Sequence, residues 1–137
     1  MHRTRIFVAA VLALVVAQAV RAETIRVVGF HVESGGADAG TIADQVRSLG
    51  SVDSWGFSEV QSFGWAMQFK TAAIDGTGLP YRFIFGTTDG GDRLVLLYNP
   101  GKLEELGSEE LNDINPLGRV RAPLVAHFRI KGWGRFR

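Results

Sequence analysis

The sequence predicts an α+β or α/β fold, and the chain is expected to form the front half of a two-sheet sandwich. Two helical patterns alternate with the first three strand patterns, and the later strand patterns follow one another without helices. Hydrophobic residues make up 46% of the chain and charged residues 21%, which is typical of a globular protein. The aromatic and aliphatic content predicts apolar side chains on both faces of the sheet, and two helices would cover only one of these faces.

The first two elements are a strand and a helix. Residues 25–32 are rich in β-branched side chains and are predicted to form a strand that is close to fully buried. A glycine-containing turn follows. Thr41 is predicted to start a helix with Asp44 as its capping partner, and Gly50 is predicted to end it.

The rest of the chain is predicted to contain one more helix and several strands. Residues 63–74 carry apolar side chains at helical spacing. Residues 81–85 and 94–98 flank a turn-forming segment and are predicted to form a hairpin. Residues 104–115 are polar and predicted to be irregular, whereas the alternation in residues 123–131 predicts a last strand.

Glu59 is the most informative residue, because it ends an aromatic strand pattern. Alternation places Trp55, Phe57 and Glu59 on one face of the second strand, and Ser58 and Val60 on the other. Burial of an unpaired carboxylate costs several kcal/mol at least, so Glu59 is expected at a strand end, or bound to a cation or a hydrogen-bond donor. Mg²⁺ is typically held by one or two carboxylates and phosphate oxygens, which makes Glu59 a candidate metal ligand. The alternative is an ordinary strand-end glutamate, in water or paired with an arginine.

Residues 1–22 have the pattern of an export signal. A basic start is followed by the apolar run of residues 6–16, and small side chains near Ala22 offer a cleavage site. The apolar run is shorter than the about 20 residues that a membrane span needs. We therefore expect an exported protein, periplasmic or extracellular, with no stable membrane span after cleavage; an uncleaved anchor is the alternative.

Charge and cysteine content limit the function classes. Loss of residues 1–22 removes three arginines and leaves 12 basic against 14 acidic side chains, a net charge of −2. Attraction to nucleic acid is then not a property of the whole surface, although this net charge still allows a local basic patch. The absence of cysteine excludes thiol catalysis and cysteine-bound zinc.

Four segments carry a resemblance to a known family. They are IRVVGFHVESGG at residues 25–36, WGFSEVQ at 55–61, DRLVLLYNP at 92–100 and RAPL at 121–124. In order and spacing they resemble the front half of the endonuclease/exonuclease/phosphatase superfamily, the deoxyribonuclease-like metal-dependent phosphodiesterases. The resemblance implies a four-layer α-β-β-α sandwich of two mixed sheets, with residues 23–137 as the N-terminal part of a truncated domain.

The resemblance also implies a site. Glu59 stands at the position of the family's metal-binding glutamate, and Arg121 at that of an arginine near the substrate phosphate. His31 stands where the family usually has an asparagine that orients metal or phosphate. His31, a candidate metal-site residue by that position, is predicted either to replace the asparagine as a hydrogen-bond donor or to be a neutral histidine satisfied within the core. The implied cofactor is Mg²⁺, or another divalent cation such as Mn²⁺ or Ca²⁺.

The implied function is hydrolysis of phosphate esters by a nuclease or phosphodiesterase type of enzyme, with nucleic acid as one substrate class. The family's catalytic histidine and its later Asp, Asn and His residues have no counterpart in the chain, and His127 is predicted to be a solvated surface residue. We therefore expect the N-terminal portion of an exported phosphoesterase that is inactive by itself. The alternative is a non-catalytic exported binding or assembly module derived from that fold.

Overall fold

The computed structural model describes residues 24–33, 35–88, 91–114 and 121–132. The predicted signal at residues 1–22 lies outside these residues. Within the described part, no helix is long and apolar enough to cross a membrane. The elements are β1 (Val27–His31), α1 (Ala39–Ser48), β2 (Ser54–Val60), α2 (Phe63–Thr77), β3 (Arg82–Phe85), β4 (Arg93–Tyr98), β5 (Leu103–Glu110), a 3-10 turn (Asn112–Ile114) and β6 (Leu124–Ile130).

The main sheet has four strands in the order β1-β2-β4-β3 and is mixed. Strand β1 runs parallel to β2, and α1 makes the crossover between them. Strands β2 and β3 both run antiparallel to β4, which confirms the predicted hairpin between β3 and β4. This order brings the ends of β1 and β2 next to each other, which is where the candidate site lies.

Helices α1 and α2 cover one face of the main sheet. Both are capped by side chains that precede them, Asp38 for α1 and Ser62 for α2, and Gly78 ends α2 in the left-handed conformation. Phe57 of β2 is buried between Trp55 and Phe69, with ring centroids 5.6 and 5.1 Å away. Burial of these aromatic side chains contributes to the apolar stabilisation of this layer.

The second sheet consists of β5 and β6, which pair antiparallel. It lies against the face of β2 and β4 that points away from the helices. Leu124 of β6 lines one pocket together with Gly56 and Leu96, and the rings of Tyr98 and Phe128 lie 4.9 Å apart between centroids. The described residues thus form an α+β arrangement of helices, a mixed four-stranded sheet and a two-stranded sheet, which agrees with part of a sandwich.

Three sequence-based predictions about elements were wrong. Residues 103–110 are a strand and not irregular; six consecutive exposed positions left no apolar alternation to detect. Helix α1 begins at Ala39 and not at Thr41. Its N-cap is Asp38, whose side chain accepts the Thr41 backbone N–H. Strand β1 is only half buried, with Val27 66% exposed, because it is an edge strand.

Candidate functional site

A bulge in β2 determines where Glu59 points. Phe57 pairs with Val95, but Val60 pairs with Arg93, so two residues of β2 oppose a single residue of β4. Glu59 occupies this bulge with a φ of 64°, a left-handed conformation that is uncommon for residues other than glycine. The predicted alternation was therefore wrong: Val60 is the residue that joins Phe57 in the core, and Glu59 is turned away from it. Bulges of this kind often re-aim a side chain next to a functional site.

Arg121 lies beside the Glu59 carboxylate. Its Nη2 donates to Glu59 Oε1 at 3.3 Å, and each of the two side chains is 25% exposed. Arg121 Nη1 is buried and has no hydrogen-bond partner among the residues that the structure describes. A buried guanidinium N–H without a partner is unusual, and an anion or a water is the ordinary way to satisfy it.

His31 approaches Glu59 from the other side. Its Nε2 lies 3.7 Å from Glu59 Oε2, and its Nδ1 lies 2.9 Å from Ser58 Oγ, within hydrogen-bond distance. The imidazole is 62% exposed, so the alternative of a histidine satisfied within the core was wrong. The three residues named by the sequence analysis therefore converge from β1, β2 and the segment before β6.

A second polar cluster holds the segment that carries Arg121. The Glu110 carboxylate accepts hydrogen bonds from the backbone N–H groups and the hydroxyls of Thr87 and Thr88. Burial raises the pKa of the Glu110 carboxyl, but these bonds outweigh it and lower the pKa to about 2. Thr88 Oγ1 also accepts the backbone N–H of Ala122 at 3.1 Å, so the cluster ends one residue from Arg121.

The sequence analysis missed Thr87, Thr88 and Glu110. The threonines follow a strand and resemble ordinary turn residues, while Glu110 lies in a segment that was predicted to be irregular. The contact between Glu110 and Thr88 spans 22 residues, so no local spacing reveals it. The one sequence signal is Gly86: a Cβ there would lie 3.0 Å from both Glu110 Oε1 and the Leu94 carbonyl oxygen.

The side chains present offer a partial fit for a divalent cation. In the described segments, no three His, Asp or Glu side chains lie close enough together to hold a metal ion. Mg²⁺ keeps several waters and needs only one or two carboxylates besides substrate phosphates, so Glu59 fits as its protein ligand. Imidazole nitrogen suits zinc, copper, iron or nickel better than Mg²⁺, so His31 fits a hydrogen-bonding role more closely than that of a magnesium ligand.

The described residues thus combine helices on a mixed sheet, a second sheet behind it, and an acid–arginine pair at one end of both sheets. No protein-family model and no curated protein matches the chain. Among solved structures, the chain is similar to the crystal structure of D. rerio TDP2 humanized by 14 mutations, with a TM-score of 0.57 and 18% sequence identity. The match covers 79% of this chain and 43% of that chain, so the chain spans less than half the length of that structure. At this identity the similarity shows that the two chains share a fold.

Proposed function

We propose that the chain is part of a Mg²⁺-dependent phosphoesterase that hydrolyses phosphate esters, with Glu59 as metal ligand and Arg121 as phosphate contact. The observation that carries the proposal is the convergence of His31, Glu59 and Arg121, which are up to 90 positions apart in the sequence. The left-handed backbone at Glu59 supports it, because strained residues of this kind cluster at functional sites.

In this proposal each side chain has a distinct task. Bound Mg²⁺ supplies charge neutralisation for the phosphoryl oxygens. Glu59 supplies the carboxylate for the ion, and Arg121, with one buried and unpartnered N–H among the described contacts, donates to a phosphate oxygen. His31 lies on the exposed side of the Glu59 carboxylate, where it can donate a hydrogen bond to a substrate.

The proposed enzyme needs further groups. The described segments supply the metal and phosphate contacts, but the only histidine beside Glu59 is His31, which lies 3.7 Å from its carboxylate. Because His31 stands at the position of the family's asparagine, the proposal assigns activation of the attacking water to residues outside the described segments. Nucleic acid remains one of the proposed substrate classes, together with smaller phosphate esters.

We also propose export to the periplasm or the extracellular space, with residues 1–22 as a cleaved signal. The support is the basic start and apolar run in the sequence. N-terminal sequencing of the protein recovered from outside the cytoplasm should start at residue 23. Recovery of the intact N-terminus from the cytoplasm would contradict this proposal.

A second candidate function is a non-catalytic binding or assembly module. The observation in its favour is the ion pair itself, because Arg121 gives the Glu59 carboxylate a partner from within the protein. In that case the pair serves only to hold β2 and the segment before β6 together.

Calorimetric titration with Mg²⁺ and with inorganic phosphate separates the two candidates. Glu59→Gln should abolish Mg²⁺ binding, while Arg121→Gln should weaken phosphate binding and leave Mg²⁺ binding in place. Glu33→Gln is the matched control, because Glu33 is exposed, has a φ of 56° and carries the same charge. Equal Mg²⁺ affinity of the Glu59→Gln and Glu33→Gln variants would overturn the metal assignment and favour the binding module.

A further inference from the structure

The two-residue segment Thr87–Thr88 is hydrogen-bonded to Arg93, which pairs beside the Glu59 bulge, and to Ala122, which follows Arg121. It follows β3, and its backbone is held on two sides. Arg93 Nη1 donates to the carbonyl oxygens of Thr87 and Thr88 at 2.5 and 2.7 Å, and Glu110 accepts from both N–H groups at 2.8 and 3.0 Å. Both the donors and the acceptors of this short stretch are therefore satisfied by charged side chains, which fixes its position.

One side of this segment is connected to the bulge. Arg93, which holds the two carbonyl groups, is the residue that pairs with Val60, directly after Glu59. The same residue of β4 thus contacts both the bulge, through its strand pairing with Val60, and the threonines, through its side chain.

The other side is connected to Arg121 through one hydroxyl group. The Thr88 hydroxyl donates its proton to Glu110 Oε1 at 2.8 Å, which leaves its oxygen free to accept the Ala122 N–H at 3.1 Å. A hydroxyl has one proton, so the carboxylate determines the direction of this chain of bonds. The Thr87 hydroxyl also donates to Glu110, but it makes no further hydrogen bond with the residues that the structure describes.

We infer that Thr88 and Glu110 are positioning residues, which hold the backbone at Ala122 so that the Arg121 guanidinium lies against Glu59. The inference rests on the proposed function only for its consequence, which is phosphate binding. Its structural part, the placement of Arg121, stands without any ligand.

Thr88→Val and Thr87→Val form a matched pair that tests this inference. Each removes one hydroxyl that donates to Glu110, but only Thr88 reaches Ala122. Nitrogen-15 NMR of the Arg121 guanidinium reports its placement directly. Thr88→Val should move the Arg121 signals toward those of a freely rotating arginine, and Thr87→Val should leave them close to the wild type. Unchanged Arg121 signals in a folded Thr88→Val variant would overturn the inference.

The consequence for binding is measured with inorganic phosphate in the presence of Mg²⁺. Thr88→Val and Glu110→Gln should each weaken binding about 10-fold, the lower end of what loss of a supporting hydrogen bond costs at metal sites. Glu109→Gln, an exposed neighbour with the same charge, is the control. In the Arg121→Gln background Thr88→Val should have no further effect, because the residue through which it acts is gone; an additive loss would count against the inference. If the wild type binds no phosphate while the NMR shift appears, positioning holds and the proposed function fails.

Discussion

Val60 pairs with Arg93 one residue out of the register that Phe57 and Val95 establish, and this shift is what releases Glu59 from the core. In a regular strand, Glu59 would lie on the same face as Trp55 and Phe57 and would be packed under the helices. The extra residue instead gives that buried place to a valine and leaves a carboxylate at the sheet end. Glu59 adopts the unfavourable left-handed backbone conformation of this bulge, with a φ of 64°.

This geometry predicts an inverted order of stability for two variants of Glu59. Both Glu59→Gly and Glu59→Ala remove the carboxylate and its ion pair, so they differ only in the backbone. Because alanine is disfavoured at positive φ, the glycine variant should be more stable than the alanine variant by about 1 kcal/mol in urea unfolding. In an ordinary strand the order is reversed, so a more stable alanine variant would show that the bulge is absent in solution.

A second prediction concerns acid stability. The pKa of Glu110 is lowered to about 2 in the folded chain from its ordinary value of 4.5, so the ionised form favours folding. Its contribution is therefore fully present above pH 4.5 and is lost as the pH falls toward 2. The free energy of unfolding of the wild type, measured against Glu110→Gln, should show a constant advantage above pH 5 that shrinks in this window. An advantage that does not change between pH 5 and 2.5 would contradict the lowered pKa.

A third prediction uses two glycines of α2. A Cβ at Gly76 would lie 2.3 Å from the Arg47 carbonyl oxygen of α1, whereas a Cβ at Gly64 meets nothing closer than Ser62 Oγ at 3.5 Å. Gly76→Ala should therefore destabilise the chain by about 1–3 kcal/mol, because the two helices must separate. Gly64→Ala should stabilise it by up to about 1 kcal/mol, since alanine is the better helix former. Thermal unfolding of the two variants with opposite signs supports the close helix contact, and equal effects would refute it.

The sequence was most informative where a side-chain pattern is local. Both helices and the hairpin of β3 and β4 were predicted from periodicity and turn residues and are confirmed, although α1 starts earlier than Thr41. Strand β5 escaped detection because its stability comes from pairing with β6, a contact between distant residues that leaves no alternation in a strand exposed on both sides.

The site shows the same division between local and distant information. Glu59 was singled out from its strand pattern, and His31 and Arg121 through the family resemblance; the structure brings the three together. Their functional roles stay predictions. The period-2 rule placed Glu59 on the wrong face, since it has no means to foresee an inserted residue. Glu110 carried no signal, because its four hydrogen bonds come from a segment 22–23 residues away.

The contact between Arg121 and Glu59 also joins two layers of the molecule, since one residue precedes β6 and the other ends β2. In the proposed enzyme, a cation on the Glu59 carboxylate would compete with the Arg121 guanidinium for its oxygens. Metal occupancy would then weaken one of the contacts between the layers, while the Tyr98–Phe128 ring contact and the Ala122–Thr88 hydrogen bond would stay in place.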